Sequence, residues 1–560
     1  MKLWDYLILT ASNALQARAY ESQLQARREL GLLPQVGEAF VVPDLEGRRI
    51  GSGGSTLCCL VEILRREQAR RGILLSGSGA VEEALGHLRI LIVHAGGDSR
   101  RLPAYGPCGK IFVPLPGAPA SALPPALFDR LVPAFLALPE GIPGRGQVVV
   151  AAGDALIRFD AGAVEFSQPG LIALGCYATP EEASRHGVFC MGAGGTVSLY
   201  LQKPSIETQQ AAGALDAEGR APLDIGVMHM DAAAAAALLA AFGVEPSKEG
   251  SLDFTVQARR QILKHGVDLY REICCALGRD ATLEHYTGGA RASGSTWPGK
   301  LLVQVFPALN AVPFYVQLVP ACRFLHFGST RQLIESGLAL AEEDRSLPPS
   351  STLLMVNSIV GWPGRVSGTH SWVEGCRITS LLELSGNVIV GVDVNEPLVL
   401  PREACLEVLP GRSRGGERVY FVRCYSVRDT FKHSLLGGAQ FCGRPLASWL
   451  AAAGVPPDEV WPGVEHLAER SLWNARVFPA VRKASGFRRW LWMYAPESAS
   501  PAELRAYRLA DRYSAAEIAL LTDQAAFHRR RAEIWRSLGG ACCSLPKPAE
   551  RPARCRAHRT

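Results

Sequence analysis

The amino-acid sequence predicts an α/β domain on a mostly parallel sheet, followed by an all-β domain and a helical C-terminal segment. Three observations favour this fold class. Short aliphatic runs alternate with helical segments in the first half, short strands broken by turn residues follow, and helical periodicity returns from Pro456 onward. Alternating strands and helices form parallel sheets that helices cover. Because ligands bind such sheets at the carboxyl ends of the strands, a site is expected in the loops that follow them.

The first half contains aliphatic runs that predict strands and longer stretches that predict helices. The predicted strands are Tyr6–Leu9, Arg89–Val93, Gln147–Ala151, Leu171–Leu174, Val197–Gln202 and Asp224–His229. The predicted helices are Ser12–Leu30, Gly54–Gln68, Ala126–Leu138 and Ala232–Phe242. Their alternation is typical of a Rossmann-like, mostly parallel sheet, and we assign this domain to residues 1–300.

The second half has a different pattern. Leu301–Val319 is predicted to be a strand and Thr330–Glu343 a helix. Runs such as LLMVNSIVG and TSLLELSGNVIVGVDV then indicate short strands with frequent turns, which favours a β-solenoid or another all-β domain at 301–455. Further predicted helices form the segment 456–540, and 541–560 is expected to be a basic, disordered tail. Those helices are Gly463–Arg470, Pro501–Ala510 and Ala515–Leu538.

The composition favours a cytoplasmic protein without a membrane segment. Apolar residues make up 48% of the chain and charged residues 20%, as in ordinary globular proteins. No apolar run is long enough to cross a bilayer, and Asp5 interrupts the apolar N-terminus, which argues against a signal peptide. The 15 cysteines are odd in number and include no Cys-x-x-Cys pair, which favours free thiols over disulfides or zinc sites.

The net charge of +6 is concentrated at the C-terminus. From Arg529 to the end the chain has nine Lys and Arg residues against two acidic ones, so the rest of the chain is close to neutral. This distribution favours a solubilising tail and no nucleic-acid partner. Weak contact of the tail with nucleic acid or an acidic partner is the alternative.

Two glycine-rich loops are candidates for phosphate binding. The first, Gly51-Ser-Gly-Gly-Ser-Thr56, precedes a predicted helix. Small residues let backbone amides approach an anion, and a helix N-terminus adds partial positive charge. A tight turn without a ligand explains this short motif equally well.

The second loop is more specific. It comprises His94-Ala-Gly-Gly-Asp-Ser-Arg-Arg-Leu-Pro103, directly after a predicted strand, and then Gly109-Lys-Ile-Phe-Val-Pro-Leu-Pro116. The glycines allow close backbone approach to a triphosphate. Arg100, Arg101 and Lys110 can neutralise the charge that develops as pyrophosphate departs.

Two other phosphate motifs do not fit this loop. A P-loop that ended at Lys110 would require glycine at position 104 and Ser or Thr at position 111, where the chain has Ala104 and Ile111. A dinucleotide fingerprint would require two further glycines around Gly96, which the chain lacks. The sequence therefore supports neither an ordinary kinase nor a dehydrogenase.

Three charged residues lie at the ends of predicted strands or at their start. Asp154 follows the strand Gln147–Ala151, where a carboxylate can hold Mg²⁺ against phosphate oxygens. Lys203 ends another strand and is a candidate phosphate anchor, with an ordinary exposed lysine as the alternative. Asp224 opens the next strand and is a candidate ligand for sugar hydroxyls or metal, with a solvated turn aspartate as the alternative.

Taken together, the motifs IGSGGST, HAGGDSRRLP, GKIFVPLP, GD, HGVF and LQKPS resemble the guanylyltransferase part of bifunctional L-fucokinase/GDP-fucose pyrophosphorylases. Later segments agree with this resemblance: Phe324–Ser329 (FLHFGS), Ser371–Cys376 (SWVEGC) and Leu472–Phe478 (LWNARVF). The likeness runs from near the start of the chain to about Pro479. The glycine-arginine-lysine signature also resembles that of sugar-1-phosphate nucleotidyltransferases in general.

The resemblance implies a nucleotidyltransferase α/β domain followed by a β-helix, with GTP, L-fucose 1-phosphate and Mg²⁺ as ligands. It implies that the nucleotide contacts are Gly51, Gly53, Gly54, Gly96, Gly97, Ser99, Arg100 and Lys110. It also implies that Asp154 binds the metal and that Lys203 meets the sugar phosphate. A second metal aspartate is expected, and Asp224 and Asp268 are both candidates.

One departure from the bifunctional proteins affects the expected activity. The sequence contains no kinase phosphate loop after the β-rich region, so fucokinase activity is not expected. Two alternatives to GDP-fucose synthesis stay open. The chain could use another pair of sugar 1-phosphate and nucleotide, or it could be a non-catalytic sugar-nucleotide-binding protein of the same fold.

Overall fold

The computed structural model describes residues 3–73, 75, 77–117, 122–246, 251–345 and 351–539. The strands of its α/β part are β1 (Trp4–Ala11), β2 (Val36–Pro43), β3 (Arg89–His94), β4 (Gln147–Ala152), β5 (Ala155–Arg158), β6 (Leu171–Ala178), β7 (Gly187–Met191), β8 (Val197–Gln202), β9 (Ala221–Met230), β10 (Val244–Pro246), β11 (Leu252–Phe254), β12 (Phe314–Leu318) and β13 (Arg323–His326). The helices are α1 (Ala14–Glu29), α2 (Gly51–Arg71), α3 (Ser78–Leu85), α4 (Leu127–Leu136), α5 (Pro180–Ala183), α6 (Ile206–Ala211), α7 (Ala232–Ala241), α8 (Val256–His265), α9 (Cys275–Leu277), α10 (Leu283–Ala292), α11 (Gly299–Asn310) and α12 (Thr330–Glu343).

Within the described ranges, nine strands form one large sheet in the order β12-β6-β9-β4-β3-β1-β2, with the β7–β8 hairpin attached to β9. The pairs β1–β2, β1–β3, β3–β4 and β6–β12 are parallel. Strand β9 runs antiparallel to β4, β6 and β7. The sheet is therefore mixed, and the predicted parallel arrangement holds on either side of β9. Because β9 is antiparallel to β4 and β6, its pairing with them requires no long crossover connection.

The strands that position the site are buried on both faces. Leu7, Ile8 and Leu9 of β1 are fully buried, because helices cover the sheet on both sides. In the parallel pairing of β1 with β3, Leu9 lies beside Val93. In the parallel pairing of β3 with β4, His94 lies beside Ala152. The loops that follow β1, β3 and β4 therefore leave the sheet side by side.

The segment around residue 300 differs from its prediction. Leu301–Val319 was expected to be a strand, but its first part lies in α11, where Leu302, Val305 and Leu309 are buried at helical spacing. Only Phe314–Leu318 is extended, and this strand pairs with β6. The large sheet thus continues beyond residue 300, and the domain boundary assigned there stays a prediction.

The β-rich part contains β14 (Leu353–Val356), β15 (Ile359–Val360), β16 (Arg365–Thr369), β17 (Ser371–Glu374), β18 (Arg377–Ile378), β19 (Leu381–Ser385), β20 (Val388–Val390), β21 (Asp393–Val394), β22 (Leu398–Val399), β23 (Ala404–Arg412), β24 (Arg418–Ser426), β25 (Gln440–Phe441), β26 (Arg444–Pro445), β27 (Phe478–Val481) and β28 (Arg512–Tyr513). Three parallel sheets, β14-β17-β20-β23, β15-β18-β21 and β16-β19-β22, form a short β-helix. Buried Trp372, Val388 and Cys405 stack in register along its interior. The strands β24, β27 and β28 extend the first sheet in antiparallel fashion.

The C-terminal helices are α13 (Leu446–Ala452), α14 (Pro457–Val460), α15 (Pro501–Leu509), α16 (Ala515–Leu521) and α17 (Gln524–Ser537). The helix predicted at Gly463–Arg470 is only a short 3₁₀ turn, and the one predicted at Ala515–Leu538 is divided because Asp523 caps a new helix. The predicted tail at 541–560 lies outside the described residues.

Two arginines that the sequence assigned to a basic terminus lie in α17 and pack on the β-helix. Arg530 forms an ion pair with Asp393, and Arg531 forms one with Glu374. In the part of the chain that the structure describes, no helix combines the length and the apolar character needed to span a membrane.

Candidate active site

The loop after β3, residues 95–112, is hereafter the signature loop. Side chains at the carboxyl end of β1 accept hydrogen bonds from the loop's first amides. Thr10 Oγ1 accepts hydrogen bonds from the amides of Ala95 (3.1 Å) and Gly96 (3.2 Å), and Ser12 Oγ accepts one from Gly97 (2.5 Å). The amides of residues 98–101 have no hydrogen-bond partner among the described residues. These donors are available to an anion.

Tyr20 of α1 fixes both ends of the signature loop. Its hydroxyl donates to the carbonyl of Ala95 at 3.0 Å and lies against Gly109, which directly precedes Lys110. Gly109 has φ +74°, and a β-carbon there would meet the Tyr20 hydroxyl. Only glycine meets both requirements at this position.

Lys110 and Asp154 meet in a cavity of about 220 Å³ at the carboxyl edge of β3 and β4. Lys110 Nζ lies 3.5 Å from Asp154 Oδ2. Burial lowers the pKa of Lys110, Asp154 opposes this effect, and Arg101 adds to it. The other lining residues are Ser52, His94, Ala95, Gly96, Ala152, Gly153 and Tyr270. The signature loop and the Gly-Asp turn thus border the same cavity.

The two signature arginines have different surroundings. Arg101 lies close to Asp154, since a β-carbon on Gly328 would be 3.5 Å from Arg101 Nη2 and 3.7 Å from Asp154 Oδ2. Arg100 instead pairs with Asp98 and lies 5.7 Å from the ring centre of Trp473. Arg101 therefore lies near Asp154, whereas Arg100 lies near Trp473 in the C-terminal part of the chain.

The glycines of the first loop contact protein and not open space. A β-carbon on Gly51 would lie 2.4 Å from the carbonyl oxygen of Val267, and one on Gly53 would lie 2.8 Å from the Val267 side chain. The Gly54 amide donates to the same carbonyl. These glycines let α2 approach the segment around Val267, and Ser52 is the loop residue that lines the cavity.

His94, which lines the cavity, contacts Thr56 of α2. His94 Nε2 lies 3.0 Å from Thr56 Oγ1. Burial lowers the pKa of His94 to about 4, so its imidazole is neutral at physiological pH. A neutral histidine here contributes hydrogen bonding and no charge.

Lys203 lines a second, larger cavity of about 1000 Å³. The polar side chains on its walls include Lys203, Thr208, Asp268, Arg271, His285 and Ser293. Lys203 has φ +52°, and its amide donates to the carbonyl of His186 at 2.9 Å. Neither Lys110 nor Asp154 borders this cavity, so the predicted site residues are distributed over two spaces.

Two histidines connect the surroundings of Asp154 and Lys203. The rings of His186 and His326 are 5.7 Å apart. Burial lowers the pKa of His186 to about 4, and the nearby charges of His326 and Lys203 make smaller contributions in the same direction. Burial also lowers the pKa of His326, and Asp154 opposes this. The motifs HGVF and FLHFGS therefore meet between the two cavities.

Asp224 and Asp268, the two candidates for a second metal-binding aspartate, already accept hydrogen bonds from protein groups. Asp224 is buried, and its oxygens accept from the Tyr200 hydroxyl (2.8 Å) and the Gly226 amide (2.7 Å). Burial raises the pKa of Asp224 to about 6. Asp268 Oδ1 accepts from two amides that start the helical turn Leu269–Cys274.

The residues present fit a magnesium ion held by a single protein carboxylate. Among the described residues, no group of three or more His, Cys, Asp or Glu side chains could hold a metal. The Asp154 carboxylate is 46% exposed and faces the cavity. Because Mg²⁺ is commonly bound by one or two carboxylates together with substrate phosphates, Asp154 fits this mode.

A buried polar cluster joins the signature loop to the β-helix and to α17. The Tyr105 hydroxyl lies 3.3 Å from Glu374 Oε2 and accepts from Trp372 Nε1 at 2.9 Å. Arg531 donates to the same Glu374 carboxylate. All four side chains are fully or almost fully buried.

A second buried arginine ends at the same loop. Arg423 Nη2 donates to the carbonyl of Pro103 at 2.7 Å, and Arg423 Nε donates to Glu407 at 2.6 Å. The β-helix and the strand β24 beside it therefore hold the signature loop at Pro103 and Tyr105, the two residues that flank Ala104.

Sequence reasoning missed several residues of the site. The hydroxyls of Thr10, Ser12 and Tyr20 could have been found, because they follow or flank a strand that ends at the same edge as β3. Tyr270 and the cluster around Glu374 carry no local signal, because their partners are distant in sequence.

Residues 82–483 match the family described as the fucose pyrophosphorylase domain. The chain is 25% identical over 559 residues to a bifunctional fucokinase/GDP-fucose pyrophosphorylase of Arabidopsis thaliana, and the match covers 92% of this chain and 50% of that protein. It is 26% identical over 530 residues to a fucose-1-phosphate guanylyltransferase of Mus musculus, covering 86% of this chain and 85% of that protein. An L-fucokinase/L-fucose-1-P guanylyltransferase of Bacteroides fragilis is 25% identical over 432 residues, or 74% of this chain and 40% of that protein.

The chain thus spans half or less of the length of the two bifunctional relatives. A solved structure of mannose-1-phosphate geranyltransferase from Thermus thermophilus is 12% identical and covers 76% of this chain and 96% of that one. Its TM-score is 0.27, so this similarity carries no argument about the fold. The match over more than half of the chain settles the family. The chain belongs to the fucose pyrophosphorylase family.

Proposed function

We propose that the protein is a fucose-1-phosphate guanylyltransferase, which forms GDP-L-fucose and pyrophosphate from GTP and L-fucose 1-phosphate. The observation that carries this proposal is the pair Lys110 and Asp154, 3.5 Å apart beside the signature loop. A largely buried cation from the loop after β3 and a carboxylate that follows the adjacent parallel strand β4 suit a metal-bound triphosphate. The names of the relatives supply the sugar and the base.

The nucleotide is proposed to bind in the cavity of Lys110. The amides of residues 98–101 are free of partners among the described residues and can donate to phosphate oxygens. Lys110 and Arg101 supply positive charge there, and burial makes the charge of Lys110 more effective than in water. Arg100 reaches the phosphates only if its pairing with Asp98 breaks.

We assign Mg²⁺ to Asp154, the exposed carboxylate of the cavity. When bound, the ion neutralises charge on phosphate oxygens and orients them. Lys110 would contact a phosphate directly, and Asp154 would act on the same phosphate only through the ion. The contact of 3.5 Å between them is longer than a direct hydrogen bond, which leaves the carboxylate free for another partner.

The sugar 1-phosphate is proposed to occupy the cavity of Lys203. Its volume of about 1000 Å³ accommodates a hexose phosphate, and Lys203 and Arg271 offer positive charge to the phosphate. His186 and His326 connect this region with Asp154. Asp224 supports the wall through Tyr200 and Gly226, with both oxygens occupied.

The reaction needs no covalent intermediate. A phosphate oxygen of the sugar 1-phosphate attacks the α-phosphorus of GTP, the bond from that phosphorus to the bridging oxygen breaks, and pyrophosphate leaves. Lys110 and Arg101 neutralise the charge that accumulates on the departing group. Holding the two phosphates in line supplies the rest of the rate acceleration.

Pyrophosphate release tests this proposal. The protein is incubated with Mg²⁺, GTP and L-fucose 1-phosphate, and in parallel with ATP, UTP, CTP and other sugar 1-phosphates. Release confined to GTP with L-fucose 1-phosphate supports the assignment. Release with another pair would replace the substrates, and nucleotide binding without release from any pair would favour a sugar-nucleotide-binding protein.

The reaction is proposed to take place in the cytoplasm, without a nucleic-acid or membrane partner. The cysteines at described positions are free thiols, most of them buried, which suits a reducing compartment. Detection of the protein in a secreted fraction would contradict this location.

A further inference from the structure

Tyr270 lies on the backbone turn that separates the two cavities. It belongs to the helical turn Leu269–Cys274, which Asp268 caps by accepting from the amides of Tyr270 (3.1 Å) and Arg271 (3.0 Å). Tyr270 lines the cavity of Lys110, whereas Asp268 and Arg271 line the cavity of Lys203. One turn of chain therefore presents side chains to both proposed substrates.

The Tyr270 hydroxyl has no hydrogen-bond partner among the described residues, although two buried tyrosines nearby have one. The Tyr200 hydroxyl donates to Asp224 at 2.8 Å, and the Tyr286 hydroxyl donates to the carbonyl of Glu272 at 2.8 Å. A hydroxyl that borders a cavity and has no protein partner leaves its donor available to a ligand.

Gly226 of β9 lies beside this hydroxyl. A β-carbon there would lie 3.6 Å from the Tyr270 hydroxyl oxygen and 3.3 Å from the Ala152 β-carbon. Gly226 has φ +74°, a conformation that favours glycine. The end of the phenol ring therefore lies close to the backbone of β9 and to Ala152 of β4.

The phenol is a hydrogen-bond donor at any working pH. Burial raises the pKa of Tyr270 well above its ordinary value, and the carboxylates of Asp224, Asp268 and Asp154 add to this effect. A neutral hydroxyl near a lysine and a carboxylate suits an anionic acceptor that Lys110 attracts.

We propose that the Tyr270 hydroxyl donates a hydrogen bond to a phosphate oxygen of the bound substrates, at the boundary where the sugar phosphate meets the nucleotide. This inference rests on the proposed function. It assigns to Tyr270 a direct contact with substrate.

The substitution Tyr270→Phe tests the contact, because it removes the hydroxyl and keeps the ring. We expect kcat/KM to fall by about 100-fold, the effect of losing one preorganised donor. The melting temperature should not change, since no hydrogen bond to a described residue is lost. Tyr286→Phe is the matched control, because it removes a hydroxyl that bonds within the same turn. It should lower the melting temperature and leave kcat/KM unchanged.

Binding measurements separate this inference from the proposed function. Calorimetry with GTP and Mg²⁺, and separately with L-fucose 1-phosphate, gives Kd for wild type and Tyr270→Phe. A rise in Kd for only one of the two ligands supports the contact and identifies which phosphate accepts the hydrogen bond. If the wild type turns over no substrate pair, the proposed function fails, while weaker GTP binding by the variant still supports the contact. Unchanged kcat/KM and Kd, or equal damage by Tyr286→Phe, overturns it.

Discussion

The hydroxyl of Tyr20 occupies the position that a side chain on Gly109 would take: a β-carbon at Gly109 would lie 1.7 Å from that oxygen. Because the same hydroxyl holds the carbonyl of Ala95, Tyr20 cannot move aside without releasing the start of the signature loop. The position of Lys110, next in the chain, is therefore set by a contact with α1.

The first prediction is that Gly109→Ala inactivates the protein. The clash displaces Lys110 or Tyr20, and a misplacement of about 1 Å costs about 100-fold in rate. Gly144→Ala is the matched control, because Gly144 has φ +77° and no atom within 4 Å of its β-carbon position. That control should lose only about 1–2 kcal/mol of stability from backbone strain. Equal activity of the two variants, measured by pyrophosphate release, would contradict the prediction.

The second prediction concerns Lys110. Lys110→Ala should lower kcat by about 100- to 1000-fold, because a charge directed at the phosphates is lost. Stability should be preserved, since burial already disfavours the charged lysine. The exposed Lys300 on α11 provides the control, and Lys300→Ala should resemble wild type. Near-normal turnover by Lys110→Ala would exclude the proposed role.

The third prediction concerns the metal. A chelator should abolish pyrophosphate release, and added Mg²⁺ should restore it. Asp154→Asn should raise the Mg²⁺ concentration for half-maximal rate at least about 10-fold, because an amide is a weaker ligand than a carboxylate. The exposed Asp160 follows β5, and Asp160→Asn should leave the metal requirement unchanged. If the rate of Asp154→Asn depended on Mg²⁺ concentration in the same way as that of wild type, the ion would bind elsewhere.

The fourth prediction concerns the buried pair Arg531 and Glu374. Arg531→Met leaves a buried carboxylate unpaired, and the free energy of unfolding should fall by about 3–5 kcal/mol. The neighbouring Arg530 pairs with the half-exposed Asp393, so Arg530→Met should cost less than about 1 kcal/mol. Urea denaturation measures both.

The double variant Arg531→Met/Glu374→Leu separates stability from loop positioning. It should regain most of the lost stability, because no charge is left buried. In the double variant Tyr105 loses its acceptor Glu374, so the KM for GTP should rise above that of wild type. Regained stability together with an unchanged KM would mean that the cluster does not position the signature loop.

The fifth prediction concerns pH. Burial lowers the pKa of His229 to about 4, below the ordinary value of about 6.5. The unfolded chain therefore binds a proton that the folded chain does not, and His229 lowers the free energy of unfolding as pH falls from about 6.5 to about 4. His229→Gln removes this contribution. Relative to wild type, the variant should gain up to about 1.4 kcal/mol per pH unit of acidification in that window. Parallel curves from urea denaturation would refute the assignment.

The sequence was sufficient for the elements whose signal is local. The strands β1, β3 and β4 are continuous aliphatic runs, and their carboxyl ends meet at one edge, where the sequence predicted a site in the following loops. The antiparallel direction of β9 did not follow, because strand direction depends on the whole connection and not on the residues of the strand.

Other parts of the site depend on contacts that no local pattern encodes. The glycines at 51, 53 and 54 suggested an anion pocket, but Gly51 and Gly53 lie against Val267, a residue more than two hundred positions away. Tyr105 and Glu374 meet across a similar separation. Such pairings depend on how the β-helix packs against the α/β part, and one sequence alone does not specify that packing.

The link from Arg531 to the signature loop has a consequence for biosynthesis. The loop is synthesised at residues 95–112, but the arginine that completes its buried support lies in α17, about four hundred residues later in the chain. Strand β12 of the large sheet also emerges well after the loop. A nascent chain that already contains Lys110 and Asp154 therefore lacks the buried support of the signature loop until α17 has been synthesised.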